Sequence, residues 1–129
     1  MRGIVITTDD KYFVHDFEEP VVESIGDALE GYPEPVYPVI LKGTDYTMFV
    51  DDEGRRKRLP INTLASILYG FPMNTPILGD VVIINQKFSH AQGMYVLKDL
   101  TDEDIDRLAT LFADKMPTIE HSKDEYAQD

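Results

Sequence analysis

The residues best suited to chemistry lie in one stretch, Asp51-Asp52-Glu53-Gly54-Arg55-Arg56-Lys57-Arg58. Three adjacent carboxylates can offer oxygen ligands to Mg²⁺ or Ca²⁺. The spacing is not that of an EF-hand loop, and no later Glu stands where the bidentate ligand would be. A solvated turn is the stronger reading, with a metal-dependent enzyme as the weaker alternative. The four cations that follow are four of the chain's 12 basic residues. Arginine presents a planar fork of donors that suits phosphate or carboxylate. Arg55, Arg56, Lys57 and Arg58 are therefore the candidate ligand-binding residues for an anionic metabolite or nucleotide. Pairing with the chain's own acids is the competing reading.

A second constellation is aromatic and proline-rich, Tyr32-Pro33-Glu34-Pro35-Val36-Tyr37-Pro38. An exposed edge here can hold a partner, although prolines also protect edges against pairing. Tyr32, Glu34 and Tyr37, with Asp51, Asp52 and Glu53, form the candidate partner-binding set. The histidines, His15, His90 and His121, are scattered, and there is no H-x-x-x-H pair or cysteine, so zinc is not expected. Ser89-His90 is adjacency and not a triad, whose members meet in space. No G-x-S-x-G, Walker or dinucleotide fingerprint occurs. Neither a catalytic residue nor a cofactor is assigned, and no metal ligand is expected.

The elements that must position these residues follow from punctuation and period. Gly3 to Thr7 and Tyr12 to Phe17 read as a hairpin, the second arm alternating Phe13, His15 and Phe17 against Tyr12, Val14 and Asp16 as in a half-buried strand. Glu18-Glu19-Pro20 starts a helix that carries Val22, Ile25 and Leu29, with Gly31 as its left-handed stop. The prolines make Tyr32 to Pro38 an extended lead-in to an edge strand at Val36 to Leu41. Tyr46 to Val50 is a strand, the acidic turn follows, and Arg55 to Leu59 is a short returning arm. Asn62 caps a helix over Thr63 to Gly70. Val81-Val82-Ile83-Ile84 reads as a central strand buried on both faces. Gln86 to Gly93 reads as loop, and Met94 to Leu97 as a short strand. Thr101 and Asp104 form a capping box, with Leu100 and Ile105 as its staple. The helix they open is expected to end near Met116-Pro117.

The chain has 129 residues, 43% of them hydrophobic, which suits one domain with a real core. No apolar run nears the roughly 18 residues of a membrane span, and Met1 to Thr7 reads as a strand rather than a signal peptide. Without cysteine, disulfides and thiolate chemistry are excluded, which fits a reducing cytoplasm. The balance of 24 acids to 12 bases, net −12, argues against direct nucleic-acid binding and against anionic membranes. It serves solubility, or it is an acidic surface that competes for a basic partner.

Several motifs in order resemble one family. They are Gly31-Tyr32 with Glu34, Val50-Asp51-Asp52-Glu53-Gly54, Leu59-Pro60-Ile61-Asn62, Ile77-Leu78-Gly79-Asp80-Val81-Val82-Ile83-Ile84, and Leu100-Thr101-Asp102-Glu103-Asp104. Together they resemble the domain-of-unknown-function 3846 family, carried by bacteriophages, plasmids and their hosts, over residues 21–113. Pro33 and Pro35 interrupt what is usually a continuous extended segment there. The resemblance implies a small α+β protein with no catalytic residue to carry over.

The expectation is one α+β domain over residues 1–117, a mixed, mostly antiparallel sheet of about five strands with two to three helices packed on it. Residues 118–129 are expected to be a frayed acidic, polar tail. The expected function is a non-catalytic binding protein of a bacteriophage or mobile element, engaging a host or defence protein through an acidic surface. Capture of an anionic small molecule is the alternative, and homo-oligomer formation stays open.

Overall fold

A computed structural model describes the backbone of residues 1–127 and the side chains of residues 1–115. Six strands and three α-helices alternate along the chain as β1 (Arg2–Ile6), β2 (Tyr12–Asp16), α1 (Val21–Leu29), β3 (Pro33–Val36), β4 (Tyr46–Asp51), α2 (Thr63–Tyr69), β5 (Val81–Ser89), β6 (Met94–Lys98) and α3 (Asp102–Ala127), with a short 3₁₀ turn at Val39–Leu41. This is the expected α+β domain, with six strands rather than about five and every pairing antiparallel. The sheet order is β2-β1-β5-β4-β3, with β6 also paired to β5.

β5 is the axis. Val82 lies between Val5 and Phe49, and Ile83 between Ile4 and Met48. Alternate side chains then separate into two cores. Ile4, Ile6, Met48, Val50, Val81 and Ile83 meet Leu64 and Leu68 of α2 and Leu108 and Phe112 of α3. Val5, Phe49, Val82 and Ile84 meet Val21, Ile25 and Leu29 of α1 on the other face. The run Val81 to Ile84 is wholly buried, as an apolar strand without alternation requires.

Local chemistry fixes the helix ends. The Asn62 side chain accepts from Ala65 N–H at 3.1 Å and donates to the Ile6 and Gly79 carbonyls at 3.0 Å each. That one buried amide caps α2 and ties it to β1 and to the lead-in of β5. Gly70 closes α2 with φ +119. Thr101 and Asp104 exchange the expected capping-box bonds, Thr101 N–H to Asp104 at 2.8 Å and Asp104 N–H to the Thr101 hydroxyl at 3.1 Å.

Several expectations are corrected. The edge strand is Pro33–Val36 itself and not Val36 to Leu41. Tyr32 O accepts from Asp52 N–H, so the ladder residues of β3 are Glu34 and Val36, and the donors missing from Pro33 and Pro35 fall on the outer side. Arg55 to Leu59 is not a strand. Its amides bond locally, Lys57 N–H to Glu53 O, Arg58 N–H to Arg55 O and Leu59 N–H to Gly54 O, so the segment coils through successive turns. β2 is exposed on both faces, because neither of the two buried cores includes any of its residues. β5 extends through Ser89 where a loop was expected; its outer half is largely exposed and lacks an apolar period. The backbone of α3 continues past Pro117 to Ala127, through good helix formers such as Glu120, Lys123 and Glu125. Of the tail expected to be frayed, residues 118–129, the side chains and residues 128–129 lie outside the described residues.

Candidate functional site

The acidic turn and the run of cations meet the end of α1. That helix buries Val21, Ile25 and Leu29 and turns Val22, Glu23, Gly26 and Asp27 toward its other sides. Its left-handed stop is Glu30, with φ 55 and ψ 40, and not Gly31. Gly31 is needed for a different reason. A Cβ there would run into the Asp51 carboxyl. The Lys57 ammonium closes the corner, 2.7 Å from Asp51 Oδ2 and 2.8 Å from the Glu30 carbonyl oxygen. Asp51 Oδ1 also accepts from Glu53 N–H at 3.0 Å. Burial pushes the Asp51 carboxyl up, but Lys57 and the Glu53 N–H outweigh it and hold it below the usual carboxylate range. Asp51 thus fixes the loop from the inside.

Beside this corner lies an open cleft of about 720 Å³ between the outer side of α1 and the loop. Glu23, Asp27, Glu30 and Glu53 stand around it, with Val22, Gly26, Tyr32 and Pro33 as its less polar wall. Tyr32 is 70% exposed and Val22 50% exposed. Lys57 is the basic residue among those lining it, and its ammonium is turned to Asp51 and Glu30. Arg56 pairs with Glu53 from the loop. The cleft is therefore acid-rimmed, with an exposed aromatic.

The remaining singled-out residues are distributed. Glu34, Asp52 and Arg55 line a separate hollow of about 260 Å³ beside Tyr69 and Leu78. Tyr37 lies toward the opposite end of β4, beside Thr44 and Tyr46. Lys57 lines one cleft and Arg55 another, so the four cations do not converge on one anion site. Arg58 ends the coiled segment at φ 57. The carboxylates separate as well, Asp51 to Lys57, Glu53 to Arg56 and Asp52 to the exposed surface. Among the described residues no group of three or more His, Asp or Glu side chains is placed to hold a metal ion. Among them no helix is long and apolar enough to cross a membrane.

One cluster was not legible beforehand. Asp104 accepts from the Tyr46 hydroxyl at 2.7 Å and from Asn85 Nδ2 at 2.8 Å, besides its capping bonds to Thr101. Arg107 Nη1 donates to the Tyr46 oxygen at 2.8 Å. Burial pushes Asp104 up, but the Thr101 N–H, Tyr46, Asn85 and the Thr101 hydroxyl together lower it to about 2. Burial and the Asp104 charge raise the Tyr46 phenol, against the pull of Arg107. Neither group titrates near neutral pH, so the pair offers no proton-transfer group there. It joins β4, β5 and α3 beside a shallow basin of about 840 Å³ lined by acids and bases alike. The capping box was readable from spacing, but the approach of Tyr46 and Asn85 depends on sheet register.

The model of one family, described as "Domain of unknown function (DUF3846)", matches residues 1–113. No curated protein and no solved structure matches the chain.

Proposed function

The chain belongs to the domain-of-unknown-function 3846 family over residues 1–113, and from that premise we propose that it is a non-catalytic binding protein engaging a partner protein through an acidic surface. The surface assigned is the cleft beside α1, and the occupant is a lysine- or arginine-bearing segment. The observation that carries the reading is the cleft's composition: Glu23, Asp27, Glu30 and Glu53 surround it, Tyr32 is exposed in it, and Lys57 is tied to Asp51. Aromatic area with charge of one sign is the chemistry that holds a cationic chain and steers its approach. The net charge of −12 strengthens that steering at low salt. The setting that goes with this reading is a bacteriophage or related mobile element. The partner is then a host or defence protein in the bacterial cytoplasm.

Fluorescence anisotropy with a labelled peptide of alternating Lys and Leu, beside a twin carrying Glu for Lys, tests the assignment. The cationic peptide should saturate, weaken as salt rises, and lose at least about tenfold in affinity with Asp27→Lys. Equal binding of the twins, or an unchanged affinity in Asp27→Lys, would overturn it. Saturable binding of a nucleotide instead, lost with Arg55→Glu, would move the site to the cationic run.

A further inference from the structure

The strands at the two ends of the sheet order, β2 and β3, differ in a way that their exposure alone does not reveal. On β1 and β2, Phe17 N–H donates to Met1 O at 2.7 Å and Thr7 N–H to Lys11 O at 2.9 Å. With the register Gly3↔His15 and Val5↔Phe13 between them, alternation gives those pairs the ladder bonds. The N–H and C=O groups of Tyr12, Val14 and Asp16 therefore point away from β1. Among the described residues no strand lies beyond them. At the opposite edge, Pro33 and Pro35 remove the outward donors of β3. One edge is blunted and the other is open.

We propose that the open edge of β2 pairs with β2 of a second copy of this chain, antiparallel about a two-fold axis at Val14. That register uses every outward group. Val14 meets Val14 of the other copy, and Tyr12 meets Asp16 in each direction, all three pairs exchanging both hydrogen bonds. Phe13 then stands across from His15 in the closer, non-hydrogen-bonded position, where aromatic pairs interact best. Within one chain Phe13, His15 and Phe17 already form an edge-to-face ladder, at 6.5 and 4.7 Å between successive rings. The pairing lengthens that ladder across the axis. A two-fold contact must be self-complementary, and this strand is, since its polar ends each fall opposite Tyr12. Charge permits the meeting here. The strip from Lys11 to Asp16 carries one lysine and one aspartate within a protein of net −12. Phe13 and Val14 are 48% and 45% exposed and gain cover from the pairing.

Sedimentation equilibrium of the purified chain, over micromolar to millimolar concentrations, reads the outcome. The expected result is reversible association from 14.7 kDa to twice that mass. Val14→Pro removes only an outward donor, as Pro33 and Pro35 do on β3, and should raise the dissociation constant at least about tenfold. Val14→Lys should do the same by charge and solvation while keeping the backbone donor. Amide exchange at Tyr12, Val14 and Asp16 should slow as concentration rises in the unmodified chain. A monomer at every concentration overturns the proposal, including one whose β2 takes up an extended peptide instead. So does a dimer that survives both substitutions, since its contact would lie elsewhere.

Discussion

At Asp51 and Asp104, carboxyl groups that look like ordinary surface acids in the sequence prove to be tightly held. Asp51 is almost fully enclosed, while Lys57 keeps some contact with water. Lys57→Met would strand that carboxylate, and a buried charge without its partner is more costly than the pair is stabilising. A loss of about 2–3 kcal/mol is expected, at the lower end because Lys57 is partly exposed. Urea unfolding of Lys57→Met, Asp51→Asn and the double variant should show a double loss well below the sum; strict additivity would mean that the two side chains are not coupled. Asp104 makes a prediction in pH. Its folded pKa of about 2 lies below the ordinary value of 3.8. Its contribution is therefore complete above the ordinary value and is lost as pH falls toward 2. That amounts to about 2 kcal/mol over the window. Asp51 is shifted in the same direction, so the isolating comparison is with Asp104→Asn, whose stability should fall less steeply between pH 5 and pH 2. Parallel curves for the two proteins would refute the assignment. The caps at Asn62 and Thr101 were legible because a cap is a contact among near neighbours. The bond from Tyr46 to Asp104 spans 58 residues of chain, and no local pattern encodes it.

Among the elements, legibility followed burial. The run Val81 to Ile84 declared itself because both faces are covered, whereas the outer half of β5 carries no apolar period to read. β2 was legible from the alternation of Tyr12 to Phe17, but that alternation promised a half-buried strand and the strand is exposed. Proline was the misleading signal. Three prolines in Pro33 to Pro38 argued for a lead-in followed by a strand, yet the strand begins at the first of them. What matters is the side of the ladder on which each nitrogen falls, and only pairing decides that. The register yields a sharp comparison. Glu34 bonds to β4 and Pro35 does not, so Glu34→Pro should destabilise the fold more than Pro35→Ala by at least about 1 kcal/mol, the net value of one ladder hydrogen bond. Thermal unfolding of both variants checks it, and equal losses would place β3 in another register. The cationic segment shows the same lesson, since Arg55 to Arg58 have strand-compatible spacing but close turn after turn on their own carbonyls.

For the molecule as a whole, 24 acids against 12 bases mean that the folded chain repels itself. Moderate salt should screen that repulsion and raise Tm by several degrees; calorimetry at two NaCl concentrations reads it directly, and an unchanged or lower Tm would show that the attractive pairs dominate. The sheet order has a consequence for time as well as for stability. β1–β2 and β3–β4 are local hairpins, but they touch nothing of each other in the sheet except through β5. Each is a half-finished surface until residues 81–84 arrive and slide between them. In the sheet order β5 is the partner of the inner edges of both β1 and β4, so neither edge is paired until β5 is in place. Assembly then waits on a single insertion between distant segments, a slow event for a chain of this size. Val82→Ala should accordingly slow refolding, while a change confined to β3 should act mainly by hastening unfolding. Stopped-flow measurements in urea would separate the two, and the insertion of one strand sets how fast this protein becomes itself.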